Sequence, residues 1–272
     1  MSAPLKCKNL GFSFDKKPLL QGINLTFKAG EFVGLIGANG AGKSTLLQLL
    51  LGLLKPQSGN VLLADSDINK IKRREIAKQL AFVPQSIELP FAFSVQQIVA
   101  MGRNPYLGAF ELETAEDKKL IEEAMLQTDI LHLQNRLVNT LSGGEKQRVI
   151  IARALAQQSA TILLDEPIAS LDICHQLETL QLIKSLTDSG KTAISALHDL
   201  NLAARYCDRL ILIGKQQNGT TTIIHDGTPE QVLNRQNLKE HFSIEATITQ
   251  QGNSVCLSEI LPINNREHSL KS

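Results

Sequence analysis

The chain has 272 residues, 43% hydrophobic and 20% charged, with a formal net charge of +1, so it can bury a sizeable core but shows no basic excess that would suggest nucleic acid and no acidic tail. Its four cysteines, Cys7, Cys174, Cys207 and Cys256, are scattered without a CxxC pair, which fits neither a disulfide framework nor a zinc site and suggests a reducing compartment. The N-terminus has no apolar core of signal-peptide length and no apolar run approaches the roughly 18 residues needed to cross a bilayer, so the chain alone reads as cytosolic.

Residues 6 to 36 read as β structure: "INLTFKAG" alternates, and "EFVGLIG" is an apolar strand running into glycine. A helix buried on most sides follows and stops near "GLLKPQSG", where Pro56 and Gly59 break it. "AFVPQS" is a short strand ended by Pro84, and the next stretch gathers Phe91, Phe93, Tyr106 and Phe110. Residues 114 to 135 have helical periodicity without a strand signal. From residue 160 strands and helices alternate: "TILLDEP" a strand, "HQLETLQLIKSLTDSG" a helix ending at Gly190, "TAISALHD" a strand, "LNLAARYC" a helix. "RLILIGKQQNGTTTIIHDG" reads as a hairpin turning at Asn218-Gly219. "TPEQVLNRQNLKEHF" follows as helix, with Thr228 as cap, Pro229 in the first turn and Gln231 three residues on. The reading is an α/β core interrupted at roughly 88 to 140 by a mostly helical lobe, or to 155 with the helix after Ser142. A short β addition follows at 243–272, to which no role attaches.

The segment "GANGAGKST", Gly37 to Thr45, matches G-x-x-x-x-G-K-[ST] between a strand and a helix. Gly37, Ala38, Asn39, Gly40, Ala41 and Gly42 let the backbone wrap phosphates. Lys43 reaches the outer phosphates as a point charge, and Ser44, followed by Thr45, offers a hydroxyl to Mg²⁺. "TILLDEP" places two carboxylates at a strand's end, where open α/β sheets put their ligands. Asp165 is the expected magnesium partner and Glu166 the base that activates a water. In "LSGGE", Ser142 and Glu145 form a capping box that could simply start a helix, or the turn could bind an anion. Gly143 and Gly144 cost that helix on the order of 1 kcal/mol each, a cost that close approach of a ligand would explain.

"LSGGE", the phosphate loop, "ILLDEP", "SLD" (Ser170 to Asp172) and "LHD" around His198 fall in the order and spacing of ATP-binding-cassette proteins, which the chain resembles from about Leu5 to Phe242. The resemblance implies a P-loop NTPase (RecA-like) α/β core with the inserted helical lobe and an N-terminal antiparallel β region. It implies cassettes paired head to tail as a homodimer. In that pairing Ser142, Gly143, Gly144, Glu145 and Asp172 of one chain cover ATP held by the loop of the other. It further implies that Phe14, or Phe12 beside it, stacks on adenine, and that Gln85 touches Mg²⁺ and the water. His198 would contact the γ-phosphate and position Glu166. Ile168 departs from the threonine common there.

The stretch "PFAFSVQQIVAMGRNP" and "LHDLNLAARYCDRLILI" resemble importer ATPases for iron–siderophore, haem and cobalamin uptake. This implies two integral-membrane permease subunits docked by the lobe, with its exposed aromatics as part of that surface; Phe91 and Phe93 could equally pack inside the lobe. An external substrate-binding protein would act with the permease, no nucleic acid would be bound, and the cassette would sit peripherally on the cytoplasmic face of the inner membrane. An importer for an oxyanion or metal, an exporter cassette, and a soluble cassette acting on DNA or ribosomes are the rival readings. A GTPase is disfavoured, since "NKIK" at Asn69 lacks the aspartate of N-K-x-D.

Overall fold

A computed structural model describes residues 5–15, 17–85, 92–108, 110–169, 171–216, 219–251 and 254–263. In chain order the elements begin with β1 (Leu5–Phe14), β2 (Lys17–Thr26), β3 (Phe32–Ile36), α1 (Lys43–Leu50), β4 (Ser58–Leu63) and β5 (Ser66–Asp67). Next come α2 (Arg73–Gln79), β6 (Leu80–Val83), α3 (Val95–Ala100), α4 (Ala115–Gln127), α5 (Gly143–Ala156), β7 (Thr161–Asp165) and α6 (Ile173–Asp188). The chain then forms β8 (Thr192–Ala196), α7 (Leu200–Tyr206), β9 (Arg209–Lys215), β10 (Thr221–Gly227), α8 (Pro229–Val232), α9 (Arg235–Phe242), β11 (Ile244–Gln251) and β12 (Ser254–Pro262).

Ten strands form one sheet in the order β5-β4-β1-β2-β10-β9-β3-β8-β7-β6. Its functional half is parallel: β6 pairs with β7, β7 with β8, β8 with β3 and β3 with β9. The strands β3, β7 and β8 are buried at all five positions, which is why they read as continuous apolar runs rather than alternating ones. Alternation survives as a division between two cores. Phe32 and Ile36, Ile162 and Leu164, and Leu210 and Leu212 pack with α5 and α6 on one face. Val33 and Leu35, Leu163, and Ile211 and Ile213 pack with α1 on the other. The N-terminal antiparallel region, β1, β2, β4 and β5, closes over α1, so that Leu46, Leu47, Leu49 and Leu50 are enclosed between it and the parallel strands. A single pairing, Thr221 with Leu20, links the two halves of the sheet.

Three helices of the lobe start with a capping box: Ser94 with Gln97 for α3, Thr114 with Asp117 for α4 and Ser142 with Glu145 for α5. The "MGRNP" segment serves as a buried clasp. The Arg103 guanidinium donates to Asp117 Oδ1 at 2.8 Å and to the carbonyl of Ala156 at 2.8 Å, and it lies over the Tyr106 ring. Tyr106 in turn donates to the Gln157 carbonyl at 3.0 Å. The first turn of α4 is thereby tied to the last turn of α5.

Three details differ from the sequence reading. The segment after Thr228 breaks into two helices, α8 and α9, because Asn234 takes an extended conformation and caps α9 by accepting from Asn237 N–H. The strands β4 and β5 and the helix α2 are additional elements. Tyr106 is not a free docking aromatic but is held in the Arg103 clasp; of the two alternatives for Phe93 the inward one holds, since it packs against the core, whereas Phe110 is fully exposed, as is Leu112. Phe91, Ser170 and Asn218, and residues 264–272, lie outside the described residues.

The addition after Phe242 is a hairpin, β11 with β12. Val255 and Leu257 insert into the larger core, and Asn201 of α7 pairs with both backbone polar groups of Leu257. Its amide donates to the Leu257 carbonyl at 3.0 Å and its oxygen accepts from the Leu257 N–H at 2.7 Å. Asn201→Ala strips both hydrogen bonds and is expected to cost about 1–3 kcal/mol. A lowered melting temperature with faster amide exchange confined to β12 would show it; unchanged exchange there would refute it.

Candidate functional site

Four adjacent parallel strands, β3, β8, β7 and β6, each deliver a candidate group just beyond the carboxyl end. In sheet order these are the 37–45 loop, His198, Asp165 with Glu166, and Gln85. Their convergence is a property of the strand order, which sequence separation hides: Gln85 and Glu166 are 81 residues apart and yet hydrogen-bonded.

The loop begins at Gly37, where φ is +149° and a Cβ would stand 2.2 Å from the carbonyl oxygen of Ile213 in β9. No side chain fits, so glycine there lets the loop leave β3 against its neighbour. Lys43 opens α1 and is buried, its ammonium donating to the carbonyls of Gly37 at 2.9 Å and Ala38 at 3.3 Å. Burial pushes the Lys43 pKa down from the ordinary lysine value, and the negative charges of Glu166 and Asp165 oppose the shift. A cleft of about 370 Å³ lies over the loop. Residues 39–45, Glu166, His198 and Leu19 line it. Leu19, from β2, carried no sequence signal for this position.

Asp165 is buried at the end of β7 and accepts from the Ser44 hydroxyl at 2.8 Å. Burial raises its carboxyl pKa, the Ser44 hydrogen bond acts the other way, and the Glu166 charge adds to the rise. The next residue, Glu166, has φ of +50°. A non-glycine residue in the left-handed region is uncommon and costs conformational energy, a feature that concentrates at active sites. Both of its carboxylate oxygens are engaged. Gln85 Nε2 donates to Oε2 at 2.7 Å, and His198 Nε2 is hydrogen-bonded to Oε1.

The remaining residues sit elsewhere. Phe14 is half exposed at the end of β1, edge-on to Phe12, which is buried; of the two rings Phe14 is the accessible one, although it does not line the cleft. None of residues 142–145 lines it either. Ser142 caps α5 by accepting from Glu145 N–H at 3.3 Å, and the Glu145 carboxylate returns to Ser142 N–H at 2.7 Å. The capping-box reading of the sequence is therefore realised, and Ser142 and Gly143 are exposed at the same time. Asp172 is likewise an exposed helix cap, accepting from His175 N–H at 3.0 Å.

The sequence profile described as "ABC transporter" matches residues 20–169, more than half of the chain. The chain belongs to the ABC transporter family. It is 42% identical over 249 residues to the hemin import ATP-binding protein HmuV of Pseudomonas aeruginosa, covering 90% of this chain and 94% of that protein. It is 40% identical over 232 residues to the cobalamin import ATP-binding protein BtuD of Halobacterium salinarum, covering 85% of this chain. That alignment spans only 56% of BtuD, so the cassette accounts for about half the length of that relative. Among solved structures, one described as an inward-facing metal-chelate type ABC transporter matches at TM-score 0.81 and 29% identity, covering 97% of this chain and 99% of that one.

This ABC cassette has donors suited to Mg²⁺. The Ser44 hydroxyl and Asp165 carboxylate already meet at 2.8 Å, both hard oxygen donors, and Gln85 and Glu166 stand beside them. Among the described residues no group of three or more His, Cys, Asp or Glu side chains could hold a metal alone. Mg²⁺ takes one or two protein ligands and completes its shell with phosphate oxygens and water. Bound there, it would neutralise phosphate charge. Among the described residues, no helix is long and apolar enough to cross a membrane.

Proposed function

We propose that the chain is the ATP-hydrolysing subunit of an importer and works as a homodimer on two separate permease subunits. The observation that carries this is the division of the site. The phosphate loop, Glu166 and His198 line one cleft, with Asp165 and Gln85 hydrogen-bonded to its lining residues Ser44 and Glu166, whereas none of residues 142–145 lines it and Ser142 and Gly143 face solvent. A second copy would bring that turn and Asp172 over the nucleotide.

In this reading residues 37–45 receive the phosphates of ATP through backbone N–H groups, with Lys43 supplying positive charge. Phe14 stacks on the adenine. Ser44, Asp165 and Gln85 hold Mg²⁺. Glu166 accepts a proton from the attacking water as its oxygen bonds to the γ-phosphorus and the bond to ADP breaks. His198 keeps the carboxylate oriented. Gln85, bonded to the same carboxylate, stands where the chain enters the lobe, so movement of a docked permease would reach the base. The exposed Phe110 and Leu112 are the apolar candidates for contact with that permease.

The cassette spans residues 1–242, with the lobe at about 88–155 inserted, and 243–272 is an addition. An iron chelate, haem or cobalamin is the proposed cargo, brought by an external binding protein. This rests on the names of the relatives and on the "MGRNP" and "LHDLN" segments. The cassette would then lie peripherally on the cytoplasmic face of the inner membrane.

Affinity purification of the full chain from detergent-solubilised membranes tests this. The expected result is recovery of multi-span membrane proteins, with ATP hydrolysis in the recovered complex stimulated by a loaded binding protein. Recovery of ribosomes or nucleic acid in their place would overturn it.

A further inference from the structure

Gly144 looks directly at α6. A Cβ at this position would stand 2.5 Å from Cδ2, 2.9 Å from Cγ and 3.0 Å from Nε2 of His175, closer than packed side chains come. The glycine is therefore demanded by a residue 31 positions later in the same chain, and no ligand is needed to account for it. The ring has little freedom to withdraw. Its Nδ1 is 2.7 Å from Asp172 Oδ2, while the His175 N–H donates to Asp172 Oδ1 at 3.0 Å. One residue thus grips Asp172 twice and rests its ring on Gly144. One helical turn along, Arg148 of α5 is paired with Glu178 of α6, a second tie between the same helices.

We infer that His175 is a positioning residue that keys the Asp172 loop to the 142–145 turn, so that both segments meet a second cassette as one preformed surface. The inference rests on the proposed pairing of two chains. Segments ordered before association do not have to be ordered during it, and that saving appears as tighter association. Without the ring, the loop carrying Asp172 and the turn carrying Ser142 would each have to be fixed separately. A side chain added at Gly144 would have the same effect by a different route. It would drive the ring away and break the bond to Asp172.

The test is a double-mutant cycle on the full chain in a Glu166→Gln background, which blocks turnover. The readout is ATP- and Mg²⁺-driven dimerisation, followed by sedimentation. His175→Ala should raise the protein concentration at half-dimerisation roughly tenfold, and Gly144→Ala at least as much. The two losses should not compound: the double variant should dimerise no worse than His175→Ala alone. Binding of a fluorescent ATP analogue to monomer and the melting temperature of His175→Ala should stay at the parent's values. His175→Gln, which keeps an N–H for Asp172, should recover part of the loss.

Losses that multiply in the double variant would overturn the inference, as would a His175→Ala chain that dimerises like its parent. A loss explained wholly by a lowered melting temperature would do the same. Failure of the Glu166→Gln parent itself to dimerise with ATP would overturn the pairing, and the inference with it. It would be recognised because His175 and Gly144 are then intact.

Discussion

Glu166→Gln is expected to reduce steady-state ATP hydrolysis by roughly a hundred- to ten-thousandfold, the range lost with a general base, and to leave ATP affinity nearly unchanged. The amide has the volume of the carboxylate; its oxygen can accept from Gln85 Nε2 and its NH2 can donate to His198 Nε2 when the imidazole carries its proton on Nδ1, which keeps both contacts. What it cannot do is take a proton from water. The groups that would hold the phosphates, Lys43 and the 39–45 loop, and the Ser44–Asp165 pair are untouched. Phosphate release and equilibrium nucleotide binding, measured on the same preparation, separate the two effects. Undiminished turnover would remove Glu166 from the role of base.

Arg103→Ala is expected to be the most destabilising single change in the lobe. The ion pair with Asp117 is buried on both sides, each side chain 7% exposed, and removing one member strands the other. The cost of breaking such a pair is about 3–5 kcal/mol, to which the Ala156 carbonyl contributes by losing its donor. For a chain of this size that corresponds to a melting temperature lower by roughly 5–9 °C. Acid supplies a second measurement. Hydrogen bonds from Thr114, then the one from Arg103, hold the Asp117 carboxyl below its ordinary pKa. A depressed carboxyl contributes stability above its unfolded pKa and loses it as pH falls through the folded one. The difference between parent and variant should therefore be full at neutral pH and shrink below the ordinary aspartate range. A difference constant down to pH 2 would place the destabilisation elsewhere.

The sequence shows the phosphate loop and the strand ending in Asp165-Glu166 because both are local, each written within a few consecutive residues. It shows the parallel core because strands buried on both faces are continuous apolar runs. What it hides is long-range. Nothing near "LSGGE" tells that Gly144 is a packing glycine, since His175 lies in another helix, and the anion-turn and capping-box readings were both open. The aromatics of the lobe were legible as a cluster but not as individuals. Tyr106 hydrogen-bonds under Arg103, Phe93 packs inward and Phe110 stands in solvent. Two residues apart on β1, Phe12 and Phe14 share a face of the strand, so alternation does not separate them; they differ in cover, with Phe12 buried in the core and Phe14 half exposed at the strand's last position. The last two strands were legible as β structure, but their seat on Asn201 was not.

The rank of strand ends has a consequence for how this sequence can drift. Leu35 of β3 is level with Ala196 of β8, Ala196 with Asp165 of β7, and Leu164 of β7 with Val83 of β6. Losing one codon inside any of these strands would either invert its side chains or pull one chemical group about 3.3 Å below the others. Loops at the opposite rim carry no such constraint. A saturation deletion scan should consequently trace four narrow intolerant bands in the gene, far apart in reading order and side by side in the fold.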